Sequence, residues 1–522
     1  MMQAERLQRP VSFDSDFWLD EAIWGHRLYD EQTPWLCFLE FLNVLQSELG
    51  EGRAFEEASP NTLKYVAARR LHLRNILFNN PYVPIILKEH AHDDARWSTW
   101  IERMSASAGG LSPADFSYLR SRFSTFSDFA ELLKFLQASA IEGDSNKRWS
   151  SKFVFPYGPD CLYEDLRVKD KKAGSGTSVT NDRRFFARTG ELLYLMVCRS
   201  GKGKEVLEYL TALGVVGTSN DSHSGRWNRL VALLQNDEAS IGKGGSSPYL
   251  PYSFLPDYGS LVEDWLNISE CRMPGYDALP HLVCITGVHL VRYFLARAGE
   301  IVDQGSPKFV IEVVSPKKTI VRELSSDSYL LNNSLSEEAI LKYLDNIKRS
   351  SEWASCSSDT DPVGAAKKYL KNMFGWPEDG DIENVSSPDV LIDELSDRAI
   401  GRHKQHLKKF HGTWTREIGL ASSRGSRRTR YAPTDSLLKT LVVTTVPQRM
   451  EFQDFLSELE RKYGFVIGDK QAISFVNEGT ADQEAFSQNA VRLEERLSRL
   501  GLVKRLSDAC AYVINPFARE AK

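Results

Sequence analysis

Apolar residues recur at three- and four-residue steps along much of this chain, and that period restricts the fold more than any other feature. The stretch at 35–49 shows the pattern, with apolar side chains at Trp35, Phe38, Leu39, Leu42 and Leu45. This spacing places the side chains on one face of a helix. The pattern returns at 115–140, 336–349 and 486–500. The sequence therefore predicts a mainly α protein.

The length of 522 residues is enough for about three domains. We expect an N-terminal helical domain at 1–145 and a central helical domain at 146–350. The central domain contains a short β element near 308–322, where Lys308 to Val314 and Thr319 to Arg322 are rich in β-branched residues. An acidic, proline-punctuated linker follows at 351–401, interrupted by one short helix at 363–374. A basic segment follows at 402–432 and a small domain at 433–522. The predicted fold is therefore a multi-domain helical body with a small α/β element.

Composition excludes several classes of protein. With 42% hydrophobic and 26% charged residues the chain is not disordered over its length. Seven dispersed cysteines do not fit a secreted disulfide scaffold. The most apolar stretch, 280–296, is interrupted by His281, His289 and Arg292, which argues against a membrane span. Because the first residues also lack a signal-peptide pattern, we expect a cytoplasmic protein without a membrane partner.

Charge is distributed unevenly along the chain. The net charge of −5 divides into about −12 before Arg402 and about +7 from Arg402 onward. Cationic side chains that bind phosphate are expected in exposed loops. From the basic segment we therefore take as DNA-binding candidates Lys408, Lys409, Arg424, Arg427, Arg428 and Arg430. The alternative is that this segment pairs with the acidic body of the same chain or with a partner protein.

The region at 433–517 carries the most specific pattern. Three helices are predicted at 434–446, 451–463 and 486–500, with Thr434 or Asp435 as the first cap and Gly464 as a stop. A short β-like run lies at 465–467, and a hairpin is predicted at 502–514. Three helices with a short strand and a terminal hairpin resemble the winged helix-turn-helix fold.

The third predicted helix has two distinct faces. Leu493, Leu497 and Leu500 point inward, whereas arginines occupy the neighbouring face. In DNA-binding winged helices the third helix enters the major groove and the hairpin touches the backbone or minor groove. The resemblance therefore implies that DNA is contacted by Arg492, Arg496, Arg499, Lys504 and Arg505.

Catalytic motifs are missing from the sequence. No nucleotide-binding loop, nucleophile elbow, metalloprotease helix or paired-cysteine metal motif is present. The residues that come nearest to the carboxylates and lysine of a metal-dependent nuclease site are Asp160, Glu164 and Asp165, or Glu312 with Lys317. Neither set gives a carboxylate-x-lysine on one strand. We therefore expect no catalytic residue, no metal and no cofactor.

A large helical body with an appended winged helix is similar to accessory subunits of bacterial anti-phage defence loci. That resemblance implies a non-catalytic DNA-binding or scaffolding subunit of a multi-protein DNA-processing or defence complex. Its partners would be double-stranded DNA and an ATPase, helicase or nuclease subunit. Two alternatives remain: a protein-interaction adaptor that does not bind DNA, and a divergent metal-dependent nuclease.

Overall fold

Helices dominate the architecture, which confirms the mainly α fold predicted from the apolar period. The computed structural model describes residues 5–9, 17–25, 28, 32–56, 68–70, 76–77, 80–107, 115–138, 158–162, 164–169, 178–181, 187–217, 226–235, 240–241, 248–314, 319–377, 385–424, 428–507 and 510–518.

The first half of the chain combines helices with one small sheet. The helices are α1 (Asp20–Trp24), α2 (Pro34–Gly50), α3 (Val83–Glu89), α4 (Asp93–Ser107), α5 (Ser117–Arg122), α6 (Phe126–Ala138), α7 (Thr189–Arg199), α8 (Gly203–Ala212) and α9 (Arg226–Leu234). The strands are β1 (Ala68–Arg70), β2 (Glu164–Lys169), β3 (Ser178–Asn181) and β4 (Ser240–Ile241), in the order β3-β2-β1-β4. β1 and β2 are parallel, and the other two pairs are antiparallel.

The described residues at 1–145 contribute to more than one hydrophobic core. Helix α2 is apolar on most of its surface, and it packs against α7 inside the main core of the protein. Helices α3 to α6 instead surround a separate core that contains Trp97, Trp100 and Phe129. Cys161 and Val231 from later in the chain complete that second core. The predicted N-terminal domain therefore shares its interior with the central part of the chain.

The main core is organised around three long helices, α10 (Pro256–Glu270), α11 (Gly275–Ile301) and α12 (Ile320–Lys348). Helix α11 is the one helix of the described chain that is long and apolar enough to cross a membrane, and 78% of its most apolar window is buried inside the protein. The apolar stretch at 280–296 therefore lies within a largely buried helix.

The expected strand pair near 308–322 is not formed by the described residues of this range. Among them only Phe309–Val310 form a strand, β5, and it pairs in parallel with β9 (Phe465–Val466), far along the chain. The prediction of a strand at 319–322 is wrong. The Thr319 hydroxyl accepts a hydrogen bond from the Arg322 N–H and so caps α12. Lys317 lies outside the described residues.

The described residues of the expected acidic linker at 351–401 are mostly helical and pack into the core. They form α13 (Ser351–Ser357), α14 (Pro362–Phe374) and α15 (Pro388–Gln405). Trp353, Leu370 and Leu391 are buried there. Pro362 and Pro388 are each the first residue of a helix, a position at which proline is favoured. Two of the three prolines that suggested a linker therefore start helices, whereas Pro377 lies beyond the end of α14.

The basic segment, residues 402–432, follows directly. It contains the end of α15, then α16 (Leu407–Glu417), and a two-stranded antiparallel ladder of β6 (Ala421–Ser422) and β7 (Arg430–Tyr431). Residues 425–427 between these strands lie outside the described part.

We call residues 433–517 the C-terminal module. Its helices are α17 (Asp435–Thr445), α18 (Phe452–Tyr463), α19 (Ile473–Asn477) and α20 (Gln483–Arg499). Besides β9 it contains β8 (Arg449–Glu451), β10 (Val503–Ser507) and β11 (Cys510–Ile514), which form an antiparallel sheet in the order β10-β11-β8. The Thr434 hydroxyl accepts from the Leu437 N–H, and Gly464 ends α18 at a φ of +75°, so both predicted helix ends are confirmed.

A buried carboxyl group joins α2 to α7. Glu40 accepts hydrogen bonds from the Gln32 amide at 2.7 Å and from the backbone N–H groups of Arg188 at 2.9 Å and Gly190 at 2.8 Å. Burial and the neighbouring Glu191 carboxylate outweigh these bonds and raise the pKa of Glu40 to about 8. The folded protein therefore retains a proton that the unfolded chain releases.

This difference predicts a pH dependence of stability. Between about pH 5 and pH 8 the unfolded chain binds fewer protons at Glu40 than the folded protein does, so the free energy of unfolding falls as the pH rises. Glu40→Gln removes this titration, and we expect the urea midpoint of that variant to fall less over this range. The exposed Glu263→Gln is the control and keeps the wild-type slope. Equal slopes for wild type and Glu40→Gln would contradict the prediction.

Candidate nucleic-acid interface

The exposed face of α20 carries the arginines predicted to contact DNA. Leu493 and Leu497 are buried beneath it, which confirms the predicted division of this helix into two faces. Arg499 is exposed at the end of the helix, 4.0 Å from Glu495. Arg492 is half-buried and donates to the Gln488 side chain at 3.4 Å.

Arg496 is held more firmly than the other two arginines. Its guanidinium lies 2.7 Å from the Asp435 carboxylate of α17, and 26% of its side chain is exposed. Asp435 lies in the first turn of α17, where the helix dipole also favours a negative charge. Arg496 thus fixes α20 against α17, and it is the least available of the three arginines.

The hairpin of β10 and β11, which we call the wing, carries the two remaining predicted contacts of the module. Lys504 is exposed and lies opposite Tyr512 of β11, which in turn lies opposite Glu451 of β8. Arg505 donates to the Glu494 carboxylate at 3.1 Å, and 57% of its side chain is exposed. This bond connects the wing to α20.

The basic segment is largely neutralised by the chain's own carboxylates. Lys408 lies 3.3 Å from Glu337, and Arg428 lies 3.9 Å from Asp327. Arg430 is 1% exposed and pairs with Glu312, so it is unavailable to DNA. The remaining candidates of this segment are Lys409 and Arg424, which are exposed, and Arg427, which lies outside the described residues.

Arg430 lies inside a buried ion cluster. Both oxygens of Glu312 are engaged, one by Arg430 and the other by Arg322 at 2.8 Å. The Arg430 guanidinium also donates to the Arg424 carbonyl oxygen at 3.2 Å. Since Glu312 is bound by two arginines, it does not supply the carboxylate that a metal-dependent nuclease requires.

The net charge of the C-terminal module is slightly negative, with ten basic and twelve acidic residues at 433–517. An interaction with polyphosphate would therefore depend on where the cations lie and not on their number. Arg499, Lys504 and Arg505 are the exposed cations of α20 and the wing. The pair of Arg499 with Glu495 is exposed at both ends, and such pairs contribute about 0–1 kcal/mol, whereas Glu494, the partner of Arg505, is 16% exposed.

A second polar arrangement, unrelated to DNA, resembles a hydrolytic triad. The imidazole of His403 lies 2.9 Å from the Ser336 hydroxyl and 3.3 Å from the Asp20 carboxylate. All three side chains are at most 3% exposed, and the ring of His403 stacks on Trp24. Because a substrate needs access to the hydroxyl, this arrangement is a buried structural connection among α1, α12 and α15. Among the residues described, no group of three or more His, Cys, Asp or Glu side chains is arranged to hold a metal.

Comparison with known proteins identifies one related family. Residues 379–516 match the model of a family described as "Methylation-associated defense system protein MAD7". The match covers α15, the basic segment and nearly all of the C-terminal module. No curated protein and no solved structure matches the chain. The family match supports an association with anti-phage defence.

Proposed function

We propose that this chain is a non-catalytic, cytoplasmic subunit of a bacterial defence complex, in which the C-terminal module binds double-stranded DNA and the helical body is a scaffold for partner proteins. The observation that carries the proposal is the arrangement of the module. Its elements follow one another as α17, β8, α18, β9, α19, α20 and the wing, and β8 adds to the hairpin. Apart from β9 and the short α19, this order resembles that of a winged helix. In a winged helix the third helix and the hairpin form the DNA-binding surface, and here these elements carry the exposed cations Arg499, Lys504 and Arg505.

DNA binding by this surface is electrostatic and therefore falls steeply with salt. In a band-shift titration of a DNA duplex, we expect Arg499→Ala/Lys504→Ala to weaken binding about tenfold or more. Because two phosphate contacts are lost, the slope of log affinity against log salt should fall by about 2. The matched control is Arg461→Ala/Lys470→Ala, which removes two exposed cations from other parts of the module.

The control variant should bind DNA as wild type does. Loss of affinity to the same extent in both double variants would mean that binding responds only to net charge. A wild-type protein that does not shift DNA at low salt would overturn the DNA-binding part of the proposal.

A second candidate function, a protein-interaction adaptor, is favoured by the outer face of α12. Leu330, Leu331 and Leu341 are 52%, 69% and 50% exposed. At 100° per residue they lie within one stripe of the helix surface. Exposed leucines that share a face are typical of protein interfaces. An adaptor without DNA binding would lose its partner with Leu331→Ser and would not shift DNA at any salt concentration.

A further inference from the structure

The wing carries an apolar side chain at a place where solubility alone would favour a polar one. Leu506 is 61% exposed, near the turn of the hairpin. Leu502, the residue just before β10, is buried in the core of the module. Leu506 is exposed and does not contribute to that core in the same way.

The ladder of the wing is irregular at this residue. Val503, Lys504 and Arg505 lie opposite Val513, Tyr512 and Ala511, but the next pair is Ser507 with Cys510. Leu506 is therefore the extra residue of a β-bulge. Bulges redirect a side chain and recur next to functional sites.

Two cations, Lys504 and Arg505, directly precede this leucine in the strand. Successive side chains of a strand point to opposite faces, so Lys504 and Arg505 flank the hairpin from its two faces. The contacts agree with this: Lys504 shares a face with Tyr512, whereas Arg505 reaches Glu494 of α20. A hairpin with a cation on each face and an exposed leucine beyond them matches the minor groove, in which bases lie between two phosphate backbones about 6 Å apart.

We propose that Leu506 is a wedge that enters the minor groove of duplex DNA, partly unstacks one base step and bends the duplex. This inference rests on the proposed DNA-binding function and specifies how the wing would act. Leucine is among the side chains that minor-groove proteins insert between base steps. Lys504 and Arg505 would hold the two backbones on either side of it.

The experiment uses the full-length protein and a short duplex that carries 2-aminopurine at its TA steps, which unstack most easily. A donor and an acceptor dye at the ends of a second duplex report bending. With wild-type protein we expect the 2-aminopurine fluorescence to rise at least twofold and energy transfer to increase. Leu506→Ser should bind the duplex within about threefold of wild type and lose both signals, since the phosphate contacts remain.

The control is Ile473→Ser on α19, because Ile473 is 57% exposed and lies outside the wing. It should retain both signals. Wild-type binding without a fluorescence rise, or a rise that persists in Leu506→Ser, would overturn the wedge and leave the proposed function standing. Failure to bind any duplex would overturn both. A change in oligomeric state of Leu506→Ser by size-exclusion chromatography with light scattering would assign the leucine to a protein contact and overturn the wedge.

Discussion

Replacing Glu312 by glutamine should destabilise the protein by about 3–5 kcal/mol, because the buried Arg430 guanidinium then lacks its carboxylate. Both side chains of this pair are 1% exposed, and Arg322 also lies against Glu312. The substitution keeps the shape of the side chain, so loss of charge and not loss of volume causes the effect. Urea unfolding monitored by tryptophan fluorescence measures the change.

Two further variants separate this explanation from a general sensitivity of the region. Glu312→Gln/Arg430→Met removes both members of the buried pair, and we expect it to recover part of the lost stability. Arg428→Ala removes an arginine two residues away that is 71% exposed, and it should change stability by less than about 0.5 kcal/mol. If Arg428→Ala is as harmful as Glu312→Gln, the burial of Arg430 is not the cause.

The second large effect is expected at Asp264, which joins the central helices to the C-terminal module. Its oxygens accept hydrogen bonds from Lys462 at 2.8 Å, Tyr463 at 2.8 Å and His289 at 2.7 Å. Asp264→Asn leaves the Lys462 ammonium buried without its counter-charge. We expect a loss of about 3 kcal/mol or more, together with faster proteolysis of the module.

Asp264 also predicts a sensitivity to acid. Burial acts to raise its pKa, but the hydrogen bond from His289 and the charges of His289 and Lys462 outweigh it, so the pKa of Asp264 lies below its ordinary value. Asp264 therefore adds to the free energy of unfolding above about pH 3.9, the pKa of an aspartate in the unfolded chain. This stabilisation is lost as the pH falls through the pKa of Asp264 in the folded protein. The unfolding midpoint of wild type should fall more on acidification below about pH 4 than that of Asp264→Asn. Glu263→Gln, at the next position and exposed, should follow wild type.

Local signals were sufficient to predict three of the four described helices of the C-terminal module, and the short α19 was not predicted. The caps at Thr434 and Gly464, and the buried Leu493 and Leu497, depend on residues within a few positions of one another. The prediction of a linker at 351–401 is wrong because its prolines were interpreted as breaks in regular secondary structure. Trp353 and Leu370 carried the opposite signal, since large apolar residues seldom belong to a solvated linker.

The exposure of the candidate site residues was predicted only in part, for a reason that two arginines illustrate. Arg428 and Arg430 stand two residues apart in a polar run, but one is exposed and the other is buried against Glu312. Only a carboxylate far away in the sequence distinguishes them. Leu506 was missed because a bulge is a property of strand register, which two strands determine together.

The parallel pairing of β5 with β9 has a consequence for synthesis in the cell. Phe309 and Val310 leave the ribosome well before their partners Phe465 and Val466 have been translated. At 5–20 residues per second, the hydrogen-bonding edge of β5 waits on the order of ten seconds or longer for its neighbour. Nascent chains in that interval present an unsatisfied strand edge beside an incomplete apolar core, and so they are natural clients for a chaperone that binds during translation.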